Sequence, residues 1–242
     1  MNKLRLDTRL AALYPRYSKT QLQAWIKEGK VTVDGTIVTK PGMLITEHAL
    51  LVVDVSEPKY VSRAGLKLEK ALDHFKLDVK NIVALDAGLS TGGFTDCLLQ
   101  HGVARVYGVD VGHSQVHEKI KNDPRVVVME KTNLRTLDKL PEKTDLVTLD
   151  LSFISVLKVM DAVTNLLKLQ GKLIVLIKPQ FEAGPEHIGK GGIIKDEKIH
   201  TLVVEQVVAA IQEHGFVHHG TIESPILGSD GNKEFLAYFQ RN

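Results

Sequence analysis

The loop Asp86-Ala-Gly-Leu-Ser-Thr-Gly-Gly-Phe-Thr95 decides the fold class of this chain. It follows the apolar run Ile82–Leu85 and leads into a helical pattern through Leu98 and Leu99. Glycines at this density let the backbone approach a ligand closely at the start of a helix. The stretch therefore predicts a strand, a ligand-binding loop and a helix in succession.

The same alternation continues to the end of the chain. Apolar runs of four to six residues alternate with helical stretches of about a dozen residues. This pattern is typical of parallel strands that are covered by helices on both faces. We predict an α/β fold with a doubly wound, mostly parallel sheet, whose strands include Ile82–Leu85, Val106–Val109, Val126–Met129, Leu146–Leu149, Leu173–Ile177, Phe216–Ile222 and Phe235–Phe239.

Four polar residues directly follow predicted strands: Asp86, Asp110, Asp150 and Lys178. Sheets of this kind bind ligands beyond the carboxyl ends of their strands. Asp110 lies where its carboxylate can accept both hydroxyls of a ribose, which predicts an adenosine cofactor. The loop has the spacing G-x-S-x-G-G instead of G-x-G-x-x-G, and this favours S-adenosylmethionine over a dinucleotide. The candidate cofactor-binding residues are Asp86, Gly88, Ser90, Thr91, Gly92, Gly93, Asp110, Thr132 and Asn133.

The loop also fits G-x-S-x-G, the nucleophile elbow of serine hydrolases, with Ser90 as the nucleophile. That elbow follows a late strand of its sheet. Here only about 25 residues separate Ser90 from the linker described below, and the upstream strands have no room. The spacing therefore disfavours a hydrolase.

Charge and composition divide the chain of 242 residues. Residues 1–40 carry eight basic and three acidic side chains, a net charge of +5, whereas the remainder carries −3. A concentrated positive charge predicts contact with nucleic acid. The longest aliphatic run, Leu173–Ile177, is far too short to span a membrane, and the N-terminus has no apolar signal region. The single cysteine, Cys97, fits a reducing compartment, so we expect a cytoplasmic protein.

The basic segment has the pattern of two short helices and a small sheet. Ser18 can cap the second helix, and Asp34-Gly35 predicts a two-residue hairpin turn. The segment resembles the RNA-binding module of the ribosomal-protein S-four type, which covers essentially all of it, in Arg5-Leu-Asp7, Ser18-Lys19, Gly29–Gly35 and Thr39–Gly42. The resemblance implies a small α+β domain whose phosphate contacts are Arg5, Arg9, Lys19 and Lys30.

We predict three segments: an RNA-binding domain over 1–55, a linker over 56–62 and a catalytic domain over 63–242. The linker assignment rests on a stretch without apolar periodicity around Pro58. Two further residues are candidates for RNA contact: Arg63, which opens the catalytic domain, and Lys190, which lies in a glycine-rich loop.

The full chain resembles the TlyA family, which joins the S-four-type module to an FtsJ-like catalytic domain. The resemblance rests on Thr91-Gly-Gly-Phe-Thr-Asp96, Asn122-Asp-Pro-Arg-Val-Val127, Ile177-Lys-Pro-Gln-Phe-Glu182 and Gly189-Lys-Gly-Gly192. It implies a Rossmann-like, S-adenosylmethionine-dependent 2′-O-ribose methyltransferase that acts on ribosomal RNA in ribosomal subunits. By motif match, the catalytic tetrad would be Lys67, Asp150, Lys178 and Glu234.

These residue types suit the reaction. A hydroxyl must lose its proton while the cofactor supplies an activated methyl group. Lys178 is the candidate for the base or for the group that steers the hydroxyl, with Lys67 as a neighbouring charge. Asp150 can orient Lys178, and Glu234 balances the charges.

Two other functions are open at this point. The family also bears the name haemolysin, which suggests a membrane-active protein, but the sequence has no long apolar or strongly amphipathic segment. A ribosome-binding factor that has lost catalysis is the other alternative, and the complete tetrad disfavours it. The same absence of a long apolar segment predicts no membrane partner. The ten histidines show no ligand spacing, so we predict no metal site.

Overall fold

The computed structural model describes residues 3–54, 58–228 and 230–242. The chain forms two compact units, Met1–Glu57 and Pro58–Asn242. Of the predicted linker, residues 56 and 57 lie outside the described residues. Residues 58–62 belong to the second unit, where the Tyr60 side chain is 2% exposed. The segment is therefore ordered by apolar burial that its local sequence pattern did not reveal.

The first unit consists of two helices and two small sheets. Its elements are β1 (Lys3–Arg5), α1 (Leu6–Leu13), α2 (Lys19–Lys27), β2 (Val31–Val33), β3 (Thr36–Ile37), β4 (Leu44–Thr46) and β5 (Leu51–Val53).

β1 pairs antiparallel with β4, and a second sheet has the order β3-β2-β5. The predicted hairpin turn is present, because Asp34 and Gly35 both adopt the positive φ angles that such a turn requires. Ser18 caps α2 through a hydrogen bond from the Gln21 N–H, as expected. Leu6, Leu10, Leu22 and Ile26 are completely buried between these elements.

The second unit alternates strands and helices. Its elements are α3 (Ala64–His74), β6 (Val83–Ala87), α4 (Gly93–Gln100), β7 (Arg105–Val109), α5 (Glu118–Lys121), β8 (Val126–Met129), β9 (Thr144–Leu149), α6 (Met160–Leu166), β10 (Leu167–Ile177), α7 (Pro179–Glu182), α8 (Glu197–Glu213), β11 (Phe216–Glu223) and β12 (Phe235–Arg241).

These seven strands form one sheet with the order β11-β12-β10-β9-β6-β7-β8. The strands from β10 to β8 run parallel to their neighbours, and β12 runs antiparallel to both β10 and β11. The strand order reverses between β6 and β9, and ligands bind at this kind of position in doubly wound sheets. The predicted α/β fold class is confirmed.

Helices cover both faces of the sheet. Leu85 and Ala87 of β6 pack in the cluster that includes residues of α6 and α8, whereas Ala84 packs in the cluster with α3 and α4. The alternation along one strand explains why the strands are apolar at nearly every position. Most strand ends lie within two residues of the prediction, but β10 begins at Leu167 and not at Leu173. Its pairing with β9 shifts register between Leu167 and Lys172, where Gln170 has a positive φ.

Candidate active site

The loop after β6 lies against the loop after β9. Gly88 has a φ of +88°, and a Cβ atom there would lie 2.3 Å from the carbonyl oxygen of Asp150. The Asp150 N–H in turn donates a hydrogen bond to the Ala87 carbonyl. Glycine is therefore required at position 88 both by its backbone angle and by the close approach of the second loop.

Asp86 supports this loop from within the protein. Its carboxylate is fully buried and accepts hydrogen bonds from the Thr95 hydroxyl at 2.6 Å and the Thr148 hydroxyl at 2.9 Å. Burial raises the pKa of Asp86 to about 6, and the two hydroxyl donors oppose that rise. Asp86 thus joins β6, α4 and β9 beneath the loop.

Asp110 is held by backbone donors on both of its carboxylate oxygens. The Ser90 N–H donates to Oδ2 and the Gly112 N–H donates to Oδ1, each at 2.7 Å. These two bonds fix the carboxylate plane at the end of β7. Each oxygen keeps a further lone pair that can accept a hydroxyl of a ligand.

A cavity of about 370 Å³, here called cavity I, opens beside Asp110. Five of the predicted cofactor residues line it: Gly88, Ser90, Asp110, Thr132 and Asn133. Its apolar wall includes Val109, Leu134, Phe153, Ile154 and Val159.

The other predicted cofactor residues lie elsewhere. Thr91 lines a second cavity, and Asp86, Gly92 and Gly93 line neither cavity among the described residues. Gly92 instead packs against Ile120, and a Cβ atom on Gly93 would lie 2.2 Å from the Ser62 hydroxyl oxygen. For these three residues, the structure shows a role in packing, and their contact with the cofactor stays a prediction.

The second cavity, cavity II, has a volume of about 290 Å³ and contains all four residues of the predicted tetrad: Lys67, Asp150, Lys178 and Glu234. Arg63, a predicted RNA contact, also lines it and is exposed. Cavities I and II share the wall formed by Gly88, Ser90, Asp150 and Ser152.

The tetrad forms two ion pairs. Lys67 Nζ lies 2.5 Å from Glu234 Oε2, and Lys178 Nζ lies 2.7 Å from Asp150 Oδ1. All four side chains are at most 14% exposed. Buried lysines without a carboxylate partner are costly, so the pairing keeps both charges inside the cavity.

Two neighbours of Asp150 were missed by the sequence analysis. Besides its ion pair with Asp150, the Lys178 ammonium donates a hydrogen bond of 2.8 Å to the Ser152 hydroxyl. The Phe153 side chain is 90% exposed, at a positive φ, and its ring lies 5.1 Å from that of Phe181. The sequence did contain a signal for both residues, because they lie two and three positions after Asp150, the predicted catalytic residue that follows β9.

The predicted RNA contacts of the first unit differ in their surroundings. Arg9 donates to the Thr46 carbonyl, and Lys30 pairs with Glu28. Lys19 is exposed at the start of α2.

Arg5 binds both carboxylate oxygens of Asp7, whose side chain is buried. The side chain of Lys190 in the second unit lies outside the described residues.

Other chemistries find less support at this site. No histidine lines either cavity among the described residues, so Ser90 has no imidazole base there of the kind that a serine hydrolase uses. Within the described part of the chain, no cluster of three or more metal-ligating side chains occurs, and no helix is long and apolar enough to cross a membrane.

The sheet order and the two adjoining cavities at its switch point define a Rossmann-like fold with a ligand site at the carboxyl ends of its strands. A solved S-adenosylmethionine-dependent methyltransferase from Mesorhizobium loti has the same fold, with a TM-score of 0.53 at 19% identity, over 71% of this chain and 96% of that one. The FtsJ-like methyltransferase family matches residues 60–241, and the S4 domain matches residues 4–51. The chain therefore belongs to the FtsJ-like methyltransferase family and carries an N-terminal S4 domain.

Relatives of the whole chain agree with this assignment. A 16S/23S rRNA (cytidine-2′-O)-methyltransferase named TlyA, from Mycobacterium tuberculosis, is 39% identical over 98% of this chain and 90% of its own length. Hemolysin A of Brachyspira hyodysenteriae is 40% identical over 98% of this chain and 99% of its own. A solved structure from Streptococcus thermophilus matches with a TM-score of 0.78 and 40% identity, over 100% of this chain and 90% of that one.

Proposed function

We propose that this protein transfers a methyl group from S-adenosylmethionine to a ribose 2′-hydroxyl of ribosomal RNA. The observation that carries this proposal is the pair of buried lysine–carboxylate ion pairs in cavity II, directly beside cavity I. The name of the Mycobacterium tuberculosis relative supports the choice of RNA and of the hydroxyl. Such a substrate would be met in the cytoplasm.

The donor set of cavity I suits S-adenosylmethionine. The Asp110 carboxylate can accept the ribose hydroxyls, and polar groups of Ser90, Thr132 and Asn133 lie around the same space. The apolar wall suits the flat face of an adenine. When bound, the cofactor supplies a methyl group on a positively charged sulfur.

In cavity II the protein orients the hydroxyl and removes its proton. The ion pair with Asp150 and the hydrogen bond to Ser152 hold the Lys178 nitrogen at the wall of cavity II. After Lys178 passes one proton to the Asp150 carboxylate, its neutral amine turns about the Cε–Nζ bond, and the lone pair then accepts the proton of the hydroxyl as the methyl group moves onto the oxygen. Lys67 and Glu234 also line cavity II and together carry no net charge.

RNA is the partner that the remaining features fit. Phe153 offers an exposed ring at cavity I, packed on the ring of Phe181, where a splayed base can stack. Arg63 adds a positive charge at the rim of cavity II. In the first unit we assign phosphate contact to Lys19 first, because it is exposed, and then to Arg5, Arg9 and Lys30.

The proposal is tested by mapping ribose methylation in ribosomal RNA from cells with and without the gene. We expect at least one 2′-O-methyl group to disappear without the gene and to return when purified protein and S-adenosylmethionine are added to ribosomal subunits from those cells. Calorimetric titration with the cofactor separates this outcome from a non-catalytic binding factor. Identical methylation maps, or subunits that accept no methyl group, would reject the proposal.

A further inference from the structure

Asn232 lies two residues before Glu234 and is 1% exposed. Its side-chain oxygen accepts a hydrogen bond from the Ile194 N–H, and its side-chain nitrogen donates to the Gly192 carbonyl, both at 3.0 Å. A single amide therefore satisfies a donor and an acceptor of a distant segment at once. No role for this residue follows from the chemistry of methyl transfer.

A second buried side chain holds the same point. His200 of α8 is 4% exposed, and its Nε2 lies 3.1 Å from the Ile194 carbonyl oxygen, which it can only contact as a donor. Both backbone groups of Ile194 are thus bonded to buried side chains, and the Ile194 side chain is 3% exposed. The chain is fixed firmly at this residue, where a glycine-rich segment ends.

The segment before this point, residues 183–193, is anchored at its other end as well. The Glu182 carboxylate accepts the Val156 N–H at 2.9 Å, which joins α7 to the chain that follows Asp150. Between these anchors, Gly191 and Gly192 have positive φ angles, and a Cβ atom at either would meet no atom within 4 Å. The glycines therefore leave open space beside the backbone, as a close approach by another molecule requires.

The other partner of Asn232 is the loop that closes cavity II. The Gly228 N–H donates to the backbone carbonyl of Asn232, and a Cβ atom on Gly228 would lie 2.5 Å from Glu234 Oε1. Ile226 and Leu227 of this loop line cavity II. Asn232 thus joins the glycine-rich segment to a wall of the cavity that holds the proposed catalytic pairs.

We propose that Asn232 is a positioning residue that holds the glycine-rich segment 183–193 against the wall of cavity II, so that the segment's backbone grips the RNA substrate. This inference rests on the proposed function, because it names the substrate contact of the same site. Neither Asn232 nor His200 lines cavity I, so we expect the loss of either side chain to weaken RNA binding and to leave cofactor binding unchanged.

The test compares Asn232→Ala with the matched control Asp230→Ala, an exposed residue of the same loop. With ribosomal subunits as substrate, we expect Asn232→Ala to raise the KM for subunits about tenfold, because two buried hydrogen bonds that order the segment are lost. The kcat at saturating subunits and the cofactor Kd should stay within about twofold of wild type. Trypsin should cut after Lys190 faster in the variant, since the segment is released. Asp230→Ala should change none of these quantities.

Two further variants keep the inference testable if Asn232→Ala does not fold. Asn232→Asp keeps the acceptor for Ile194 but places a carboxylate oxygen against the Gly192 carbonyl, so its KM should rise at least as far as that of the alanine variant. His200→Gln retains a donor for the Ile194 carbonyl and should restore the KM that His200→Ala raises.

An unchanged KM in the Asn232 variants would overturn the inference. Equal losses in KM, kcat and cofactor affinity would also overturn it, because they would show a merely structural role. If the wild type itself transfers no methyl group, the proposed function fails. The Kd for ribosomal subunits and the rate of trypsin cleavage after Lys190 then still test the role of Asn232.

Discussion

At the scale of single residues, Lys178 shows how the two buried lysines are paired with carboxylates. Its ammonium contacts Asp150 and Ser152 at 2.7 and 2.8 Å, and it ends a strand at the edge where the ligand cavities lie. Asp150 was expected to orient Lys178, and the two form an ion pair. Lys67 was expected as a neighbouring charge; it lines the same cavity and is paired with Glu234, so each lysine has its own carboxylate.

Lys178→Ala should bind S-adenosylmethionine as the wild type does and lose methyl transfer by about 10²- to 10⁴-fold, the usual contribution of a proton-transfer group. Calorimetry measures the first quantity, and incorporation of a labelled methyl group into ribosomal subunits measures the second. Lys168→Ala is the control, since Lys168 lies at the opposite end of the same strand and pairs with Asp145. Turnover that survives in Lys178→Ala would exclude this lysine from an essential role.

Asp7 is a second residue with a testable charge. The Arg5 guanidinium beside it holds the pKa of the buried Asp7 carboxyl far below its usual range, and a hydrogen bond from Gln23 adds to the effect. A carboxyl with a lowered pKa in the folded state stabilises the fold above its unfolded pKa of about 4 and loses that contribution as the pH falls.

We therefore expect Asp7→Asn to destabilise the first unit by about 1–2 kcal/mol at pH 7, a figure reduced because Arg5 is half exposed. The difference from wild type should shrink as the pH falls below about 4. Trp25 is the only tryptophan and belongs to the first unit, so urea unfolding followed by its fluorescence reports this unit. A difference that is independent of pH would contradict the ion pair as its cause.

At the scale of elements, the loop between β6 and α4 is shaped by contact with the loop after β9. Gly88 is the point of closest approach, and Asp86 lies below it with its carboxylate bonded to threonines of α4 and β9. The helix start at Gly92 is fixed by Ile120 in the same way. The glycine pattern therefore serves the packing of two protein loops as much as the approach of a ligand.

Gly88→Ala should destabilise the second unit by about 2–4 kcal/mol, because its Cβ atom would overlap the Asp150 carbonyl at a strained φ. Cofactor affinity should fall as well, since the displaced loops form the wall between the cavities. Gly215→Ala is the matched control, with a φ of +84° and open space around the Cβ position, and it should cost only the strain of about 1 kcal/mol. Far-UV circular dichroism against urea compares the two, and equal losses would rule out the loop contact.

At the scale of the whole molecule, positive charge is concentrated in the first 40 residues; residues 41–57 of the first unit add three acidic and no basic side chains, so the first unit as a whole has a net charge of +2 and the second unit has none. Residues 1–40 carry a net charge of +5, and the rest of the chain carries −3. Binding to RNA through released counterions weakens linearly with the logarithm of the salt concentration. The basic side chains of residues 1–40 should therefore dominate the salt dependence of RNA binding.

We expect affinity for ribosomal subunits to fall steeply with salt, and Lys19→Ala to reduce the slope of the double-logarithmic plot by about 1. Lys168→Ala, which removes an equal charge from the second unit at a distance from cavity II, should leave the slope unchanged. Filter binding over a range of potassium chloride concentrations measures both slopes. A flat salt response of the wild type would exclude phosphate contact by the first unit.

Much of the fold followed from local patterns. The strand alternation predicted the parallel sheet, and the residues after each strand predicted Asp110, Asp150 and Lys178 at one edge. The packing role of Asp86 and Gly93 did not follow, because a buried carboxylate and a loop glycine look the same in sequence whether a ligand or another loop covers them. The order in residues 58–62 was missed for a similar reason, since Tyr60 is buried by distant residues.

By itself, the sequence determined the two-part organisation of the chain, the doubly wound sheet, the family and the four residues proposed as the tetrad, because these depend on local periodicity and on motifs. Only the tertiary structure decided that Lys67 pairs with Glu234, that Ser152 bonds to Lys178, that the Phe153 ring packs on Phe181, and that Asn232 joins two distant segments. Those contacts join residues from different strands and loops. Which of these segments are neighbours depends on the order of the strands in the sheet, and no local sequence pattern encodes that order.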